Sequence, residues 1–258
     1  MAVFSSGGPG NLRAAYEAAQ EHPDTLALAL VITDRPDIPA AAFAAKHGIP
    51  VLTRDIAGAA HAAPRAARAR IADALHDDLL ADLLAFEAAH GAIDLGVLAY
   101  RRILRGALFA HFEGRLINQH PADLTVMDPG SGRRRYVGIG GLRRSLADGV
   151  THTRTSTILA RADVDEGEIL VQGPWMRVAR IGDVSCLAAH EAGQKAVSDW
   201  PALKAALQLL GQARLMLLDD RWSDGGRIVA LDGMALGYGG VQLGSGPRAA
   251  KARRQQDA

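Results

Sequence analysis

Arg115-Leu116-Ile117-Asn118-Gln119-His120-Pro121-Ala122-Asp123 is the stretch on which the reading of this chain turns. A short apolar run ends in an amide, then an imidazole two residues later, then a proline, and no other segment concentrates as much chemistry. Leu116 and Ile117 are expected to close a strand, and the period of two along a strand sends Asn118 and His120 to the same side at its carboxyl end. Open α/β sheets bind ligands at the carboxyl ends of their strands. The stretch therefore predicts an α/β fold and one edge of its site. Taken alone, the pattern also fits a strand-end turn in which both side chains satisfy backbone groups.

Working back toward the N-terminus, residues 105–112 read as a short helix, 93–98 as a strand and 100–104 as a loop between them. Residues 64–90 carry Ile71, Leu75, Leu79 and Leu83 at helical spacing, with charges on other faces, which predicts a long amphipathic helix covering the sheet. His90-Gly91 and His47-Gly48 look like glycine C-caps, the second closing an alanine-rich helix over 38–46. Residues 49–52 read as a short strand, and 25–32 (TLALALVI) as a strand covered on both faces. At the start, Ala2-Val3-Phe4 is a strand candidate. It leads through Ser5-Ser6-Gly7-Gly8-Pro9-Gly10 into a helix from Asn11, with Pro9 at the first helical position. A glycine-rich turn at a helix start can hold an anion on its free amides, or it can be a plain tight βα turn. Strand, helix, strand, helix, strand is the doubly wound pattern.

Downstream of Pro121 lies a polar, glycine-punctuated loop that includes Asp128, Gly130, Gly132 and the triplet Arg133-Arg134-Arg135. Its length suggests a binding loop, and the triplet fits either a phosphate or carboxylate contact or a solvated basic turn. Residues 141–147 resume as helix. Residues 151–160 alternate as one strand, then turn through Asp163, Asp165 and Glu166 into a second strand over 168–171. Helices are expected over 185–199 and 202–219, broken by Trp200-Pro201. Residues 228–236 read as a hairpin with Asp232-Gly233 at its turn. The basic, glutamine-containing tail 244–258 is expected to be disordered.

Composition bounds the class. The 258 residues are 48% apolar and 22% charged, and 29 basic against 28 acidic residues give no whole-molecule charge that argues for nucleic acid or a membrane, so neither is expected as partner. One cysteine, Cys186, excludes an internal disulfide and a multi-cysteine zinc cage. His152 has no second histidine at ligand spacing, so no metal is expected. With neither a secretory leader nor a run near the roughly 20 apolar residues that span a bilayer, a soluble, cytoplasmic protein is expected.

An amide donor, a histidine and a carboxylate suffice for acyl-type transfer to nitrogen. Asn118 and a protonated His120 can stabilise the charge that develops on oxygen when an amine attacks a carbonyl. A carboxylate such as Asp165 can favour the imidazolium and order a water that moves the proton.

The order of motifs resembles the folate-dependent formyltransferases, most closely those acting on glycinamide ribonucleotide, over nearly the whole chain. The likeness rests on Ser6-Gly7-Gly8-Pro9-Gly10-Asn11-Leu12, Leu98-Ala99-Tyr100-Arg101-Arg102-Ile103-Leu104, Gly114 to Pro121, Asp163-Val164-Asp165-Glu166-Gly167-Glu168-Ile169-Leu170 and Leu231-Asp232-Gly233. Asn-x-His-Pro with the later Asp-x-Gly carries most of it. The resemblance implies a Rossmann-like, mostly parallel seven-stranded sheet with helices on both faces. The implied reaction moves a formyl group from 10-formyltetrahydrofolate to a primary amine. Asn118, His120 and Asp165 would be catalytic. The donor would be held by Arg102, Ile103 and Leu104 through their backbone and by the loop of Arg161, Ala162, Asp163 and Val164. An acceptor phosphate would sit on Gly7, Gly8, Gly10 and Asn11.

One catalytic domain over 1–243 is implied, with a nucleotide- or phosphate-binding half (1–100) and a folate-binding, catalytic half (101–243). The partner would be a small-molecule amine, and the assembly a monomer or homodimer. Pro9 removes an amide from the first turn, Gly10 stands where a hydroxyl residue is common, and Ala122-Asp123-Leu124-Thr125 departs from the usual continuation after the proline. These departures leave the acceptor open between glycinamide ribonucleotide and another small amine. A formate-releasing hydrolase and an inactive folate-binding relic stand as the other readings, while a methionyl-tRNA formyltransferase is disfavoured by the charge balance and the lack of a separate C-terminal domain.

Overall fold

The computed structural model describes residues 1–244. The chain runs β1 (Ala2–Ser5), α1 (Gly10–Glu21), β2 (Leu30–Thr33), α2 (Pro39–Lys46), β3 (Val51–Thr53), α3 (Ile56–Ala62), α4 (Arg68–His90), β4 (Gly96–Ala99), α5 (Gly106–His111) and β5 (Leu116–His120). It continues as α6 (Gly141–Ala147), β6 (His152–Thr153), β7 (Ser156–Leu159), β8 (Ile169–Gln172), β9 (Met176–Arg177), α7 (Leu187–Gln194), α8 (Trp200–Gly211), β10 (Leu215–Arg221), β11 (Arg227–Leu231), β12 (Met234–Ala235) and β13 (Val241–Gln242). Beyond Gly244, the tail expected to be disordered lies outside the described residues.

One sheet carries the order β13-β8-β7-β5-β4-β1-β2-β3. From β3 to β5 every pairing is parallel, and β7 is antiparallel to both β5 and β8. Eight strands stand where seven were expected, because the two-residue β13 adds in parallel to the edge strand β8. Alternation explains why helices cover both faces. Val3, Val31, Val97 and Ile117 pack on one side with the alanine-rich faces of α1, α2 and α8. Ala2, Phe4, Leu30, Ile32 and Leu116 pack on the other with Leu79 and Leu83 of α4 and Leu108 of α5. Each strand thus buries both sets of side chains, which is why these segments read as continuous apolar runs. Strand order reverses at β1, with β2 on one side of it and β4 on the other, so the crevice at the carboxyl ends of β1, β4 and β5 is where a ligand is expected.

Several boundaries differ from the sequence expectation, each for a physical reason. The strand expected over 25–32 starts only at Leu30, because its partner β1 begins at Ala2, opposite Leu30. Residues before that have no strand to pair with on this side. The strand expected over 151–160 is two: β6 pairs with β9, and β7 joins the main sheet. Trp200-Pro201 does not break the chain between helices. A π turn over Lys195–Asp199 runs directly into α8, the Trp200 N–H bonding the Lys195 carbonyl, so the missing N–H of Pro201 falls where the ladder changes from π to α. The helix expected to reach residue 219 stops at Gly211, and 215–221 instead form β10, paired with β11. Asp232 and Gly233, at φ 52° and 81°, make the expected tight turn after β11.

Candidate active site

The end of β5 is pinned on both sides. Parallel pairing sets Asn118 opposite Leu98, and antiparallel pairing with β7 sets His120 opposite Ser156. As period two requires, Gln119 turns away: its amide donates to the Asp199 carbonyl at 3.0 Å and its side-chain oxygen accepts from Thr157 Oγ1 at 3.0 Å. Asn118 and His120 converge instead on Asp165. Asn118 Nδ2 donates to Asp165 Oδ1 at 3.2 Å, His120 Nδ1 stands 3.0 Å from Oδ2, and the Gly138 N–H donates to that same Oδ2 at 2.6 Å.

His120 Nε2 lies 2.6 Å from the Tyr136 carbonyl, which can only accept, so Nε2 carries a proton. With a carboxylate on Nδ1 and a carbonyl on Nε2, the buried ring has an acceptor for each proton of an imidazolium. Burial alone would push the Asp165 carboxyl up. The hydrogen bond and charge of His120, then the Gly138 N–H and the Asn118 amide, outweigh it and hold the carboxyl below its ordinary range. Asp165 occupies the left-handed backbone region at φ 58°, a conformation that costs a side-chain-bearing residue roughly 1–2 kcal/mol. The start of α6 closes over the ring: a Cβ on Gly141 would lie 2.2 Å from the Tyr136 carbonyl oxygen and 2.8 Å from His120 Nε2. Only glycine permits that approach.

Asn118, His120 and Asp165 open onto a cavity of about 1020 Å³. Arg102, Ile103 and Leu104 line one wall, Arg161, Ala162 and Val164 another, and Phe109, Leu116 and Leu142 add apolar surface. The Arg102 guanidinium is engaged by Asp34, a fully buried carboxylate, with Nε 2.8 Å from Oδ2. Asp163 does not line the cavity; it faces a neighbouring cleft with Asp128, Ser131 and Arg133. The acidic residues of this turn are used separately, Glu166 beside Arg133 at 3.5 Å and Glu168 accepting from Arg161 Nε at 2.9 Å. No cluster of three His, Cys, Asp or Glu side chains placed to hold a metal occurs among the described residues. Nor is any described helix long and apolar enough to cross a membrane.

Gly7, Gly8, Gly10 and Asn11 are not part of the cavity lining. Their turn lies beside it at the end of β1, tied by the Ser6 N–H to the Ala99 carbonyl at 3.3 Å and by Ser6 Oγ, which accepts from the Arg101 N–H at 3.0 Å. Pro9 precedes α1 rather than opening it, and its carbonyl accepts from the Arg13 N–H at 2.6 Å. A Cβ on Gly7 or Gly8 would meet nothing within 4 Å, whereas one on Gly10 would lie 3.1 Å from Trp200 Nε1. Tyr136, Gly138 and Gly141, which set His120 and Asp165 in place, escaped the sequence reading. Their signal was the cluster Gly138-Ile139-Gly140-Gly141 behind an aromatic residue, a pattern that permits close backbone approach.

Fold and site together define an open α/β protein with a ligand cleft over the ends of β4 and β5 and an Asn-His-Asp floor in which His120 and Asp165 are buried and Asn118 is half-buried. Residues 1–179 match the formyl transferase family, and the chain belongs to it. The chloroplastic phosphoribosylglycinamide formyltransferase of Arabidopsis thaliana is 30% identical over 173 residues, 67% of this chain and 53% of the relative. The chain thus spans about half the length of that curated relative. Glycinamide ribonucleotide transformylase 1 from Symbiobacterium toebii superposes with a TM-score of 0.66 at 25% identity, over 89% of this chain and 92% of that one. The phosphoribosylglycinamide formyltransferase from Coxiella burnetii gives 0.65 at 23%, over 94% and 98%.

Proposed function

We propose that this chain is a 10-formyltetrahydrofolate-dependent N-formyltransferase, with glycinamide ribonucleotide as the first acceptor to test and another small amine next. The observation that supports it best is the convergence of Asn118, His120 and Asp165 on one cavity with the Arg102–Leu104 wall. In this reading the donor's pterin lies along the main chain of Arg102, Ile103 and Leu104 against the Arg161, Ala162, Asp163 and Val164 loop. A phosphate of the acceptor lies on the Gly7, Gly8, Gly10 and Asn11 turn. The enzyme needs no metal, and acts in the cytoplasm as one catalytic domain over 1–243.

The acceptor nitrogen attacks the formyl carbon and the carbonyl electrons move to oxygen. Asn118 has a second N–H beyond the one on Asp165, and that group faces the developing charge. The His120 imidazolium adds its field; for a direct bond to the oxyanion, Nε2–H must exchange the Tyr136 carbonyl for the substrate oxygen. Asp165 orders a water that takes the proton from the attacking amine and delivers it to the leaving N10 as the C–N10 bond breaks.

The test is to mix the protein with 10-formyltetrahydrofolate and candidate amines and follow tetrahydrofolate and formylated product, with His120→Ala and Asp165→Asn alongside. Each variant is expected to lose roughly 10²- to 10⁴-fold in rate. Formate release indifferent to every added amine would replace the transferase reading with a hydrolase. Equal activity in wild type and both variants would remove the proposed roles.

A further inference from the structure

The segment between Pro121 and Gly138 is not a slack loop. Asp128 ties its tip, accepting from the Gly130 N–H at 3.1 Å and the Ser131 N–H at 2.8 Å. Backbone bonds from the Asp128 N–H to the Arg133 carbonyl (2.7 Å) and from the Arg135 N–H to the Val126 carbonyl (2.9 Å) close it into a hairpin. Side chains along a hairpin arm alternate, and this separates the three arginines. Arg133 and Arg135 point outward to Glu166 and Asp148, with side chains 73% and 41% exposed, while Arg134 points inward and is 5% exposed.

Inside, Arg134 grips main chain. Its Nη1 donates to the Asp165 carbonyl at 2.7 Å and to the Gly167 carbonyl at 2.8 Å. Its Nε donates to the Tyr238 hydroxyl at 2.9 Å, and the Tyr238 ring lies 5.2 Å from the guanidinium carbon. That hydroxyl donates in turn to Asp224. Burial first, then the bond to Asp224, push the phenol up to about 12, so Tyr238 stays protonated and can accept from Arg134 while donating to Asp224. A buried guanidinium carries a large desolvation cost unless it is hydrogen-bonded. Here its donors are spent on the backbone of the very residue that sits in a left-handed conformation.

We propose that Arg134 is a positioning residue: by holding the Asp165 and Gly167 carbonyls it fixes Asp165 in the left-handed backbone that aims its carboxylate at His120 and Asn118, and Tyr238 with Asp224 braces it from the C-terminal segment. The kinetic part of the test rests on the formyl-transfer reading; the structural part does not. Among the described residues, Asp165 is faced by His120 and Asn118 from β5 and by the Gly138 N–H, while the neighbouring Glu166 and Glu168 are held by Arg133 and Arg161. The Asp165–His120 pair therefore reports whether the carboxylate is aimed.

The experiment compares the full chain with Arg134→Met, Arg134→Lys and Tyr238→Phe, by NMR titration of the Asp165 carboxyl and by the pH profile of kcat/KM. Asp165 is held below its ordinary range by its partners, so loosening the cluster lets its carboxyl rise. In Arg134→Met the acid limb of the profile and the Asp165 carboxyl titration should both move up by about one pH unit. The value of kcat should fall tenfold or more with the donor KM near wild type, Arg134→Lys should recover part of the loss, and Tyr238→Phe should shift both curves less. A purely structural role would lower the folded fraction without moving either curve, and unmoved curves in folded Arg134→Met overturn the proposal. If Arg134→Met does not fold, Tyr238→Phe, which removes one hydroxyl, decides by the same titration. A shifted Asp165 titration in a protein that formylates no amine would keep this inference and remove the functional one.

Discussion

Two strand ends lie close together on this sheet and are built on opposite plans. At the end of β5, Asn118, His120 and Asp165 bond one another and the backbone of Tyr136 and Gly138, all within 3.2 Å. At the end of β1, Gly7 and Gly8 have open space around them, and two buried polar atoms, Ser5 Oγ and Trp200 Nε1, have no partner among the described residues. Groups preset in their working geometry stabilise a transition state without reorganising at the moment of reaction. The contrast sets a hydrogen-bonded cluster at β5 against an open turn at β1.

The largest effect belongs to the preset end. Asn118→Ala removes the amide that both bonds Asp165 and faces the cavity, and kcat for formyl transfer is expected to fall about 10²- to 10³-fold, the loss typical of one oxyanion donor. Gly8→Ala at the other end should leave kcat near wild type and act on the acceptor KM. A loss below tenfold in Asn118→Ala would erase the asymmetry.

Glycine substitutions sharpen the same contrast in stability. A Cβ at Gly141 would press on the Tyr136 carbonyl and on His120, and backbone there cannot give way cheaply. Overpacking of this kind costs roughly 1–3 kcal/mol, which in a chain of this size lowers the melting temperature by several degrees. Gly8→Ala meets no atom within 4 Å and should stay within about 0.5 kcal/mol of wild type. Thermal unfolding of the two variants checks both, and equal melting temperatures would mean that the start of α6 is less tightly seated on His120 than the distances state.

How much of this was legible in the sequence depended on the range of the physics involved. Asn118 and His120 share a side because of a period of two within five residues, so their pairing was readable locally. Asp165 lies 47 positions from Asn118, and no local rule joins them; family resemblance did. Arg133-Arg134-Arg135 looked uniformly basic, because the hairpin that turns the middle residue inward is set by cross-strand bonds invisible in a linear pattern. Leu215-Met216-Leu217-Leu218 fitted a helix on propensity, and pairing with β11 overrode it. Asp163 is expected on the folate wall with its neighbours, and its side chain lines the outer cleft with Asp128, Ser131 and Arg133.

The smallest effect is expected at Trp200, and it tests the loose end of the comparison. Its indole Nε1 is buried against Gly10 without a hydrogen-bond partner among the described residues. An unsatisfied buried donor costs roughly 1–3 kcal/mol. Trp200→Phe removes that donor but also part of the ring that packs on Gly10, a loss of similar size and opposite sign. The two should nearly cancel, leaving the melting temperature within a few degrees of wild type and kcat unchanged, since the substitution touches neither Asn118 nor His120. A drop of several kcal/mol would show that the N–H is bonded in solution. The β1 end would then be as fully preset as the β5 end.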